Sequence, residues 1–451
     1  MSTQPETLQQ RLERLNSALE EGSTGQVRRM LNRGLAAVDV AQLLESTPPR
    51  EREQLWAMIE PELQGEVLQY LVDDIQTEFL GRMSVEQLLS IARRLDTDDT
   101  ADLLQRLPNT MIQRVLAAMG TAEREQVERV LAYPEDTAGG LMDTDTITIR
   151  PEVTLAVVQR YLRRHERLPE STDTLLVVTR RRELIGHLPL TRLLVSDPDI
   201  TVREIMETDL VTLTALTPET EVASVFERFD LISAPVLSLD GKLLGRITID
   251  DVVDVIREGA GHTMMSMAGL EDDEDTFAPV LRTGRRRAVW LGINLIAATV
   301  VSVAIGFFED TIQRIAALAV LMPIVSSMGG IGGSQTLTVM IRGIALGHVS
   351  RTNLRWLVVR ELLAGSLNGV LWACVVAVIA VVRFDDLQLG VIIALAMVIN
   401  LVTAALVGTL IPVLLKRLSI DPALSGGVLL TTITDVVGFV AFLGLATVFY
   451  T

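Results

Sequence analysis

An aspartate lies inside a stretch of the sequence that is otherwise apolar enough to cross a membrane. The stretch is VLLTTITDVVGFVAFLGLATVFY, residues 428–450, and the acid is Asp435. A carboxylate at the centre of a bilayer costs about 2.5–3.5 kcal/mol on insertion scales, so such residues usually mark a path for ions or protons. The structural alternative is a neutral Asp435, or one hydrogen-bonded to Thr431, Thr432 or Thr434. We favour the ion path, because no Lys or Arg lies in the middle of any apolar span.

The available ligands indicate which ion would follow this path. None of the four His residues lies in an apolar span, so the ligands there are carboxylate, hydroxyl and carbonyl oxygens. Oxygen ligands suit Mg²⁺, which keeps several of its waters, whereas zinc, nickel and copper prefer nitrogen and sulfur. One carboxylate does not balance a divalent ion, but two copies of Asp435 across a two-fold axis would. We therefore expect a homodimer that transports Mg²⁺, with Co²⁺ and Mn²⁺ left open.

Five segments are long enough to cross the hydrocarbon core of a bilayer. They cover about residues 288–308, 316–343, 354–382, 387–415 and 423–450. Basic residues precede the first segment and lie between the second and third and between the fourth and fifth, which predicts a cytoplasmic N-terminus and an outside C-terminus. The polar N-terminal sequence predicts no cleavable signal peptide. Asp421 is expected at the cytosolic mouth of the last segment.

The second segment contains MPIVSSMGGIGGSQTLT, residues 322–338. Pro323 removes a helix donor, and four glycines in five positions let backbones approach closely. Hydroxyl and amide side chains are also dense there. The pattern indicates either close helix packing or a helix that borders a water-filled path, where an irregular backbone is tolerated.

Charge and composition exclude several classes of protein. The net charge is −17, and the acidic excess lies before residue 282. This argues against binding to nucleic acid or anionic lipid through that part, and it suits either a surface that meets cations or simple solubility. The single cysteine, Cys374, excludes an intramolecular disulfide. Nothing resembles a catalytic constellation, so we do not expect an enzyme.

A repeat occupies the middle of the chain. Met142 matches Met206 and Val158 matches Val222, both at a spacing of 64 residues, and each copy continues into a strand, a glycine turn and a short helix. Alternating strands and amphipathic helices in tandem predict a pseudo-symmetric α/β pair. The copies, with GLM and EIM at their starts and VLSLDGKLLGRIT in the second, resemble a pair of CBS motifs. That resemblance implies ligand sensing, often of adenine nucleotides, so ATP is a candidate ligand of the pair.

These features predict a multi-domain protein: an all-α N-terminal domain, an α/β tandem CBS pair and an all-α membrane domain of five helices. We place a superhelical helical domain at residues 1–132 and the CBS motifs at 133–200 and 201–258. A connecting helix and linker would cover 259–283, and the transmembrane domain 284–451.

The order of these parts resembles the MgtE family of bacterial magnesium channels. The most specific matches are the glycine-rich second span, DPAL at Asp421–Leu424 and TDVVG at Thr434–Gly438. The resemblance implies a homodimer in the bacterial plasma membrane, Asp435 as the ion-selecting acid and Asp421 near the cytosolic entrance. It also implies that cytosolic Mg²⁺, bound between the acidic soluble domains, closes the pore through the connecting helix. The matching regulatory positions are Glu66, Asp98, Asp230, Asp251 and Asp254.

The sequence departs from the family pattern in the second span, where Ile331 and Ser334 stand at positions that many relatives fill with Asn. It also departs on the connecting helix, where Gly259, His262 and Thr263 stand at positions that relatives fill with acids, so the number of regulatory sites is open. Two other functions are also open: an ion-coupled carrier for Co²⁺ or Mn²⁺, and a membrane-anchored CBS sensor of nucleotides or metal.

Overall fold

The computed structural model describes residues 23–450 apart from 166–167, 170, 271–274, 351 and 419. The chain forms two units, Met1–Ala260 with Asp273–Pro279, and Gly261–Asp272 with Val280–Thr451. The helical pattern before residue 23 and the acidic run 271–274 lie outside the described residues. The predicted fold class is confirmed: helices come first, then paired α/β motifs, then long apolar helices.

In the described residues, from 23 onward, the first unit begins with nine short helices. They are α1 (Thr24–Arg33), α2 (Ala37–Glu45), α3 (Pro49–Trp56), α4 (Pro61–Gln69), α5 (Asp73–Leu80), α6 (Val85–Ala92), α7 (Thr97–Gln105), α8 (Asn109–Ala118) and α9 (Thr121–Val130). Pro49 and Pro61 occupy first helical positions, where the missing N–H costs nothing. Ser84 and Gln87 form a capping box that begins α6. Alternate helices pack together, α2 on α4, α4 on α6 and α6 on α8, so the buried leucines and valines form one continuous core.

Two α/β motifs of the same topology follow. The first contains β1 (Thr148–Ile149), α10 (Leu155–Leu162), β2 (Thr174–Val178), β3 (Leu184–Pro189) and α11 (Leu190–Val195), and the second α12 (Val202–Ile205), β4 (Leu213–Thr214), α13 (Glu219–Phe229), β5 (Ser233–Leu237) and β6 (Leu243–Thr248). In each sheet the short first strand runs parallel to the middle strand, which pairs antiparallel with the third.

The equivalent glycines of the repeat lie where each motif meets a segment of the other. A Cβ atom on Gly186 would lie 2.5 Å from the carbonyl oxygen of Glu207, and one on Gly245 would lie 2.5 Å from the carbonyl oxygen of Asp143. Such distances leave no room for a side chain, so both positions require glycine. The repeat in the sequence therefore corresponds to a pseudo-symmetric pair of motifs.

The segment that precedes the membrane helices is anchored in the first unit. Asp275 accepts two hydrogen bonds from Arg52, at 2.8 and 3.1 Å, and both side chains are buried. The Arg52 Nε atom also donates to the carbonyl of Leu44 at 2.9 Å. This buried arginine is therefore paired through all of its nitrogen atoms.

A long helix and the membrane helices complete the chain. They are α14 (Ile249–Met267), α15 (Val280–Gly306), α16 (Glu309–Arg314), α17 (Ala316–Ala345), α18 (Leu354–Phe384), α19 (Leu387–Arg417) and α20 (Pro422–Tyr450). Five of these, α15 and α17–α20, are long and apolar enough to cross a membrane. Helix α19 is the most buried of the five and packs on α17, α18 and α20.

Helix α17 is continuous through Pro323, so the irregular backbone that its sequence allowed is not present. The glycines serve packing instead. A Cβ atom on Gly332 would lie 2.8 Å from Leu401, and one on Gly333 would lie 2.7 Å from Leu430. Side chains of two neighbouring helices thus fill the space beside these glycines, which allow the close packing that the sequence offered as one alternative.

Candidate ion pathway and acidic cavity

A polar groove runs along the membrane unit between α17 and α20. It has a volume of about 730 Å³, and its lining residues are Ser326, Ser327, Gly330, Ile331, Ser334, Gln335, Thr338, Val339, Thr431 and Asp435. The α17 residues recur every three or four positions, which places them on one face of the helix. Most of the lining side chains are exposed on the surface of the unit, and none of them is basic.

Asp435 lies half-buried in this groove and is oriented by another helix. The Ser326 hydroxyl on α17 donates a hydrogen bond of 2.5 Å to its Oδ1 atom. The nearby hydroxyls of Thr431, Thr432 and Thr434 donate instead to carbonyls one turn earlier in their own helix. In the part of the chain that the structure describes, the local threonines therefore do not satisfy the acid, which leaves a carboxylate oxygen available toward the polar groove.

Asp421 caps the N-terminus of α20. Its Oδ1 atom accepts from the Ala423 amide at 2.9 Å and its Oδ2 atom from the Leu424 amide at 3.3 Å. The His262 Nε2 atom of α14 lies 3.3 Å from Oδ2. At a rise of about 1.5 Å per residue, some 21 Å of helix separate Asp421 from Asp435. The structure therefore does not bring these two acids together, and the His262 contact is a feature that sequence reasoning missed.

A further acid of the membrane unit lies away from the groove. Glu361 on α18 is largely buried and accepts a hydrogen bond of 3.3 Å from the Thr336 hydroxyl of α17. The Arg360 Nη1 atom lies 3.4 Å from its other oxygen. Glu361 therefore connects two membrane helices and has an arginine beside it, unlike Asp435.

An acidic cavity lies in the first unit. It has a volume of about 150 Å³ and is lined by eight acidic residues: Asp98, Asp99, Asp102, Glu135, Glu219, Asp251, Asp254 and Glu258. Helix α7 supplies the first three and the first ten residues of α14 supply the last three. The structure thus brings together three of the predicted regulatory residues, Asp98, Asp251 and Asp254.

Burial and mutual repulsion hold protons on several of these acids. Burial raises the pKa of Asp98 well above its ordinary value, and the nearby Asp251 raises it further. For the same two kinds of reason the pKa is raised to about 7 for Asp99, Asp251 and Glu258 and to about 8 for Asp102. Within the described part of the chain, Oδ1 of Asp98 and Oδ1 of Asp102 have no hydrogen-bond partner.

The positive charge at this cavity is small compared with its negative charge. Arg106 is the one basic residue of the lining, and it pairs with Asp73 and with Glu135, the latter at 3.4 Å. Thr248 donates its amide and hydroxyl to Asp251 at 3.2 and 3.0 Å. One guanidinium and a few neutral donors leave a large negative excess, which protons or cations would neutralise.

The donors fit a hydrated hard cation. The cavity offers carboxylate oxygens, some without a partner, and these are the ligands that Mg²⁺ prefers. Among the residues that the structure describes, no three His, Cys, Asp or Glu side chains are arranged to hold one metal ion. Mg²⁺ gives up its waters reluctantly, and carboxylates can also bind it through those waters.

The other two predicted regulatory residues lie elsewhere on the first unit. Glu66 is exposed on α4, and Asp230 is exposed at the end of α13 with a positive φ of 50°. Neither lines the acidic cavity. Their regulatory roles stay predictions.

Known proteins similar to this chain match nearly its whole length. The magnesium transporter MgtE of Thermus thermophilus is 30% identical over 438 residues, which are 96% of this chain and 97% of the relative. The chain belongs to the MgtE family. The magnesium transporter MgtE of Bacillus subtilis is 27% identical over 417 residues, which are 92% of each chain. This confirms the family resemblance that the sequence motifs indicated.

Family models and a solved structure match parts of the MgtE architecture. Models described as a divalent cation transporter, the MgtE intracellular N domain and a CBS domain match residues 322–445, 35–136 and 202–258. A crystal structure of the cytosolic domain of the Mg²⁺ channel MgtE in complex with ATP is 32% identical, with a TM-score of 0.50. The match covers 54% of this chain and 99% of the crystallised chain. With five apolar helices, this family member is a multi-pass membrane protein.

Proposed function

We propose that this protein is a channel for Mg²⁺ influx, that Asp435 selects the ion and that cytosolic Mg²⁺ closes the pore. The carrying observation is the groove of the membrane unit, where Asp435 has a hydroxyl partner, polar neighbours and no basic residue. A cation is the remaining counter-charge for such an acid. The curated relatives named as magnesium transporters support Mg²⁺ over Co²⁺ and Mn²⁺.

The pore is proposed to form between two copies of the chain. The groove is exposed along its length, and a carboxylate that faced acyl chains would be costly. A second copy across a two-fold axis would cover the groove and place two Asp435 carboxylates around one divalent ion. The basic loops support a cytoplasmic N-terminus, so the acidic first unit would meet cytosolic Mg²⁺.

Gating is proposed to depend on the acidic cavity. Without Mg²⁺ its acids repel one another, whereas bound Mg²⁺ would favour the arrangement that brings Asp98, Asp251 and Asp254 together. The ion shifts the equilibrium only by binding this arrangement more tightly. Helix α14 carries Asp251 and Asp254 near its start and continues past His262, which contacts Asp421. This single helix would transmit the change to the pore entrance.

Adenine nucleotide is a proposed ligand of the CBS pair. The support is the related cytosolic domain that was crystallised with ATP. Isothermal titration of the purified protein with ATP, with GTP as control, would test it. Equal heats for the two nucleotides would contradict adenine recognition.

Growth of a bacterial strain that lacks Mg²⁺ uptake would test the pore acid. We expect rescue at low external Mg²⁺ by the wild type and by Asp385→Asn, and no rescue by Asp435→Asn. Asp385 is a matched control because it is an exposed acid at the end of α18, where its left-handed φ of 53° also suits Asn. Equal rescue by both variants, at equal membrane levels, would contradict the proposal.

Protease accessibility would test gating. We expect cleavage within residues 259–281 of the full chain to fall as Mg²⁺ rises through the millimolar range. The double variant Asp98→Asn/Asp251→Asn should lose this response, whereas the exposed loop variant Asp240→Asn should keep it. An unchanged response in the double variant would contradict bridging at the acidic cavity.

A further inference from the structure

Asn400 is a fully buried amide at the centre of the membrane unit. It lies on α19 with a relative exposure of 0%, and its Nδ2 atom donates a hydrogen bond of 2.8 Å to the carbonyl of Val325 on α17. Its Oδ1 atom has no hydrogen-bond partner in the part of the chain that the structure describes. A residue needed for packing alone would be apolar here, since an unpaired buried acceptor is costly. The amide is therefore a site to explain by function.

Two glycines form the slot that holds this amide. A Cβ atom on Gly329 of α17 would lie 2.2 Å from Nδ2 of Asn400, and one on Gly438 of α20 would lie 2.7 Å from it. Neither position therefore has room for a side chain while Asn400 keeps its place. The amide fixes the spacing of three helices at one level.

That level is the level of the pore acid. Ser326, which donates to Asp435, directly follows the Val325 carbonyl that Asn400 binds. Gly438 follows Asp435 by three residues, about one turn of α20. The hydrogen bond and the slot thus hold the two backbone segments that carry the hydroxyl and the carboxylate of the groove.

We propose that Asn400 is a positioning residue for ion selection, which holds Ser326 and Asp435 at a fixed separation. This inference rests on the proposed role of Asp435 in the pore. A hydrated Mg²⁺ ion is compact and rigid, so a fixed carboxylate would discriminate it from a larger, more adaptable ion such as Ca²⁺. Loss of the amide would loosen the carboxylate and weaken this discrimination.

Uptake by reconstituted full-length protein would test the inference. Asn400→Leu keeps the branched shape without the donor, and Asn400→Ala/Gly438→Ala refills the slot without the donor. The other two variants are Asn400→Ala, for comparison with the double variant, and Asp435→Asn. We expect Asn400→Leu to remain folded and to raise the KM for Mg²⁺ at least five-fold, with a smaller change in maximum rate. The ratio of Mg²⁺ uptake to Ca²⁺ uptake should fall by a similar factor. The double variant should be more heat-stable than Asn400→Ala alone and keep the raised KM.

The outcomes separate this inference from the proposed function. Wild-type KM and ion ratio in Asn400→Leu, or in the double variant, would overturn the role of Asn400. Failure of both Asn400 variants to fold would also overturn this role, and would show that Asn400 serves the stability of the fold alone. Wild-type uptake by Asp435→Asn would overturn the proposed function itself. Loss of uptake in Asp435→Asn beside normal Asn400→Leu would overturn the inference alone.

Discussion

Replacing Asp102 by Asn should stabilise the first unit and weaken its response to Mg²⁺. Burial, and then the nearby Glu135, raises the pKa of Asp102 from an ordinary 3.8 to about 8. At pH 7 this carboxyl is ionised in the unfolded chain and protonated in the folded one. Folding at pH 7 therefore requires protonation of a group about three pH units above its ordinary pKa. At about 1.4 kcal/mol per unit, this lowers the free energy of unfolding by on the order of 4 kcal/mol.

The sign of the pH dependence follows from the same shift. The folded state binds more protons than the unfolded state between about pH 4 and pH 8, so stability falls as pH rises through this range. Asn binds no proton, and the variant should lose this part of the slope. A change of 1 kcal/mol moves Tm by about 2–4 °C in a domain of this size, so the full effect at pH 8 is on the order of 10 °C.

Thermal unfolding of the full-length protein in detergent, monitored by hydrogen exchange in residues 97–105, would measure this effect. In EDTA at pH 8 the Asp102→Asn variant should unfold about 10 °C above the wild type, and saturating Mg²⁺ should raise the Tm of the variant less than that of the wild type. Asp240→Asn is the matched control, because Asp240 is exposed in a loop. An unchanged Tm in Asp102→Asn, or an equal rise in the control, would refute the electrostatic reasoning.

Three other substitutions should have measurable effects. Arg106→Met removes the one basic residue of the cavity lining, so protection of residues 259–281 from protease should need several-fold less Mg²⁺; an unchanged midpoint would show that Arg106 does not compete with the ion. Arg52→Met would leave the Asp275 carboxylate buried without its ion pair, which should lower the free energy of unfolding in urea by about 3–5 kcal/mol. The double variant Arg52→Met/Asp275→Leu should recover much of this loss. Gly245→Ala would place a Cβ atom 2.5 Å from the Asp143 carbonyl oxygen and should lower the free energy of unfolding in urea by about 1–3 kcal/mol. An unchanged free energy of unfolding would mean that the strand adjusts freely.

The long apolar runs and the repeat could be read from the sequence because each is a local pattern. The spans predicted at 316–343, 354–382 and 387–415 begin where the observed helices begin, and each stops about two residues before its helix ends. The first helix, α15, begins at Val280 rather than near 288, because its basic first turns are helical although they are not apolar. Local hydropathy thus finds the membrane core of a helix and misses its polar extension.

The contacts of the groove could not be read in this way. Ser326 donates to a carboxylate 109 residues away, and Asn400 donates to a carbonyl 75 residues away. Spacing within one helix shows which residues share a face but not which helix that face meets. The acidic cavity has the same limit: Asp99 and Asp102 follow Asp98 on α7, yet only the fold places α7 beside Asp251 and Asp254.

The two acidic sites differ in the way that their proposed tasks require. A permeating ion must bind and also leave, so a pore site works with few ligands, and each chain supplies the groove with one carboxylate oriented by one hydroxyl. A sensing ion must change an equilibrium between two arrangements, which needs a large difference in affinity. Eight acids around about 150 Å³, several with raised pKa, would provide that difference, because the repulsion that Mg²⁺ would relieve exists only when they are brought together. Under the proposed function, the same carboxylate chemistry would therefore conduct where it is sparse and regulate where it is crowded.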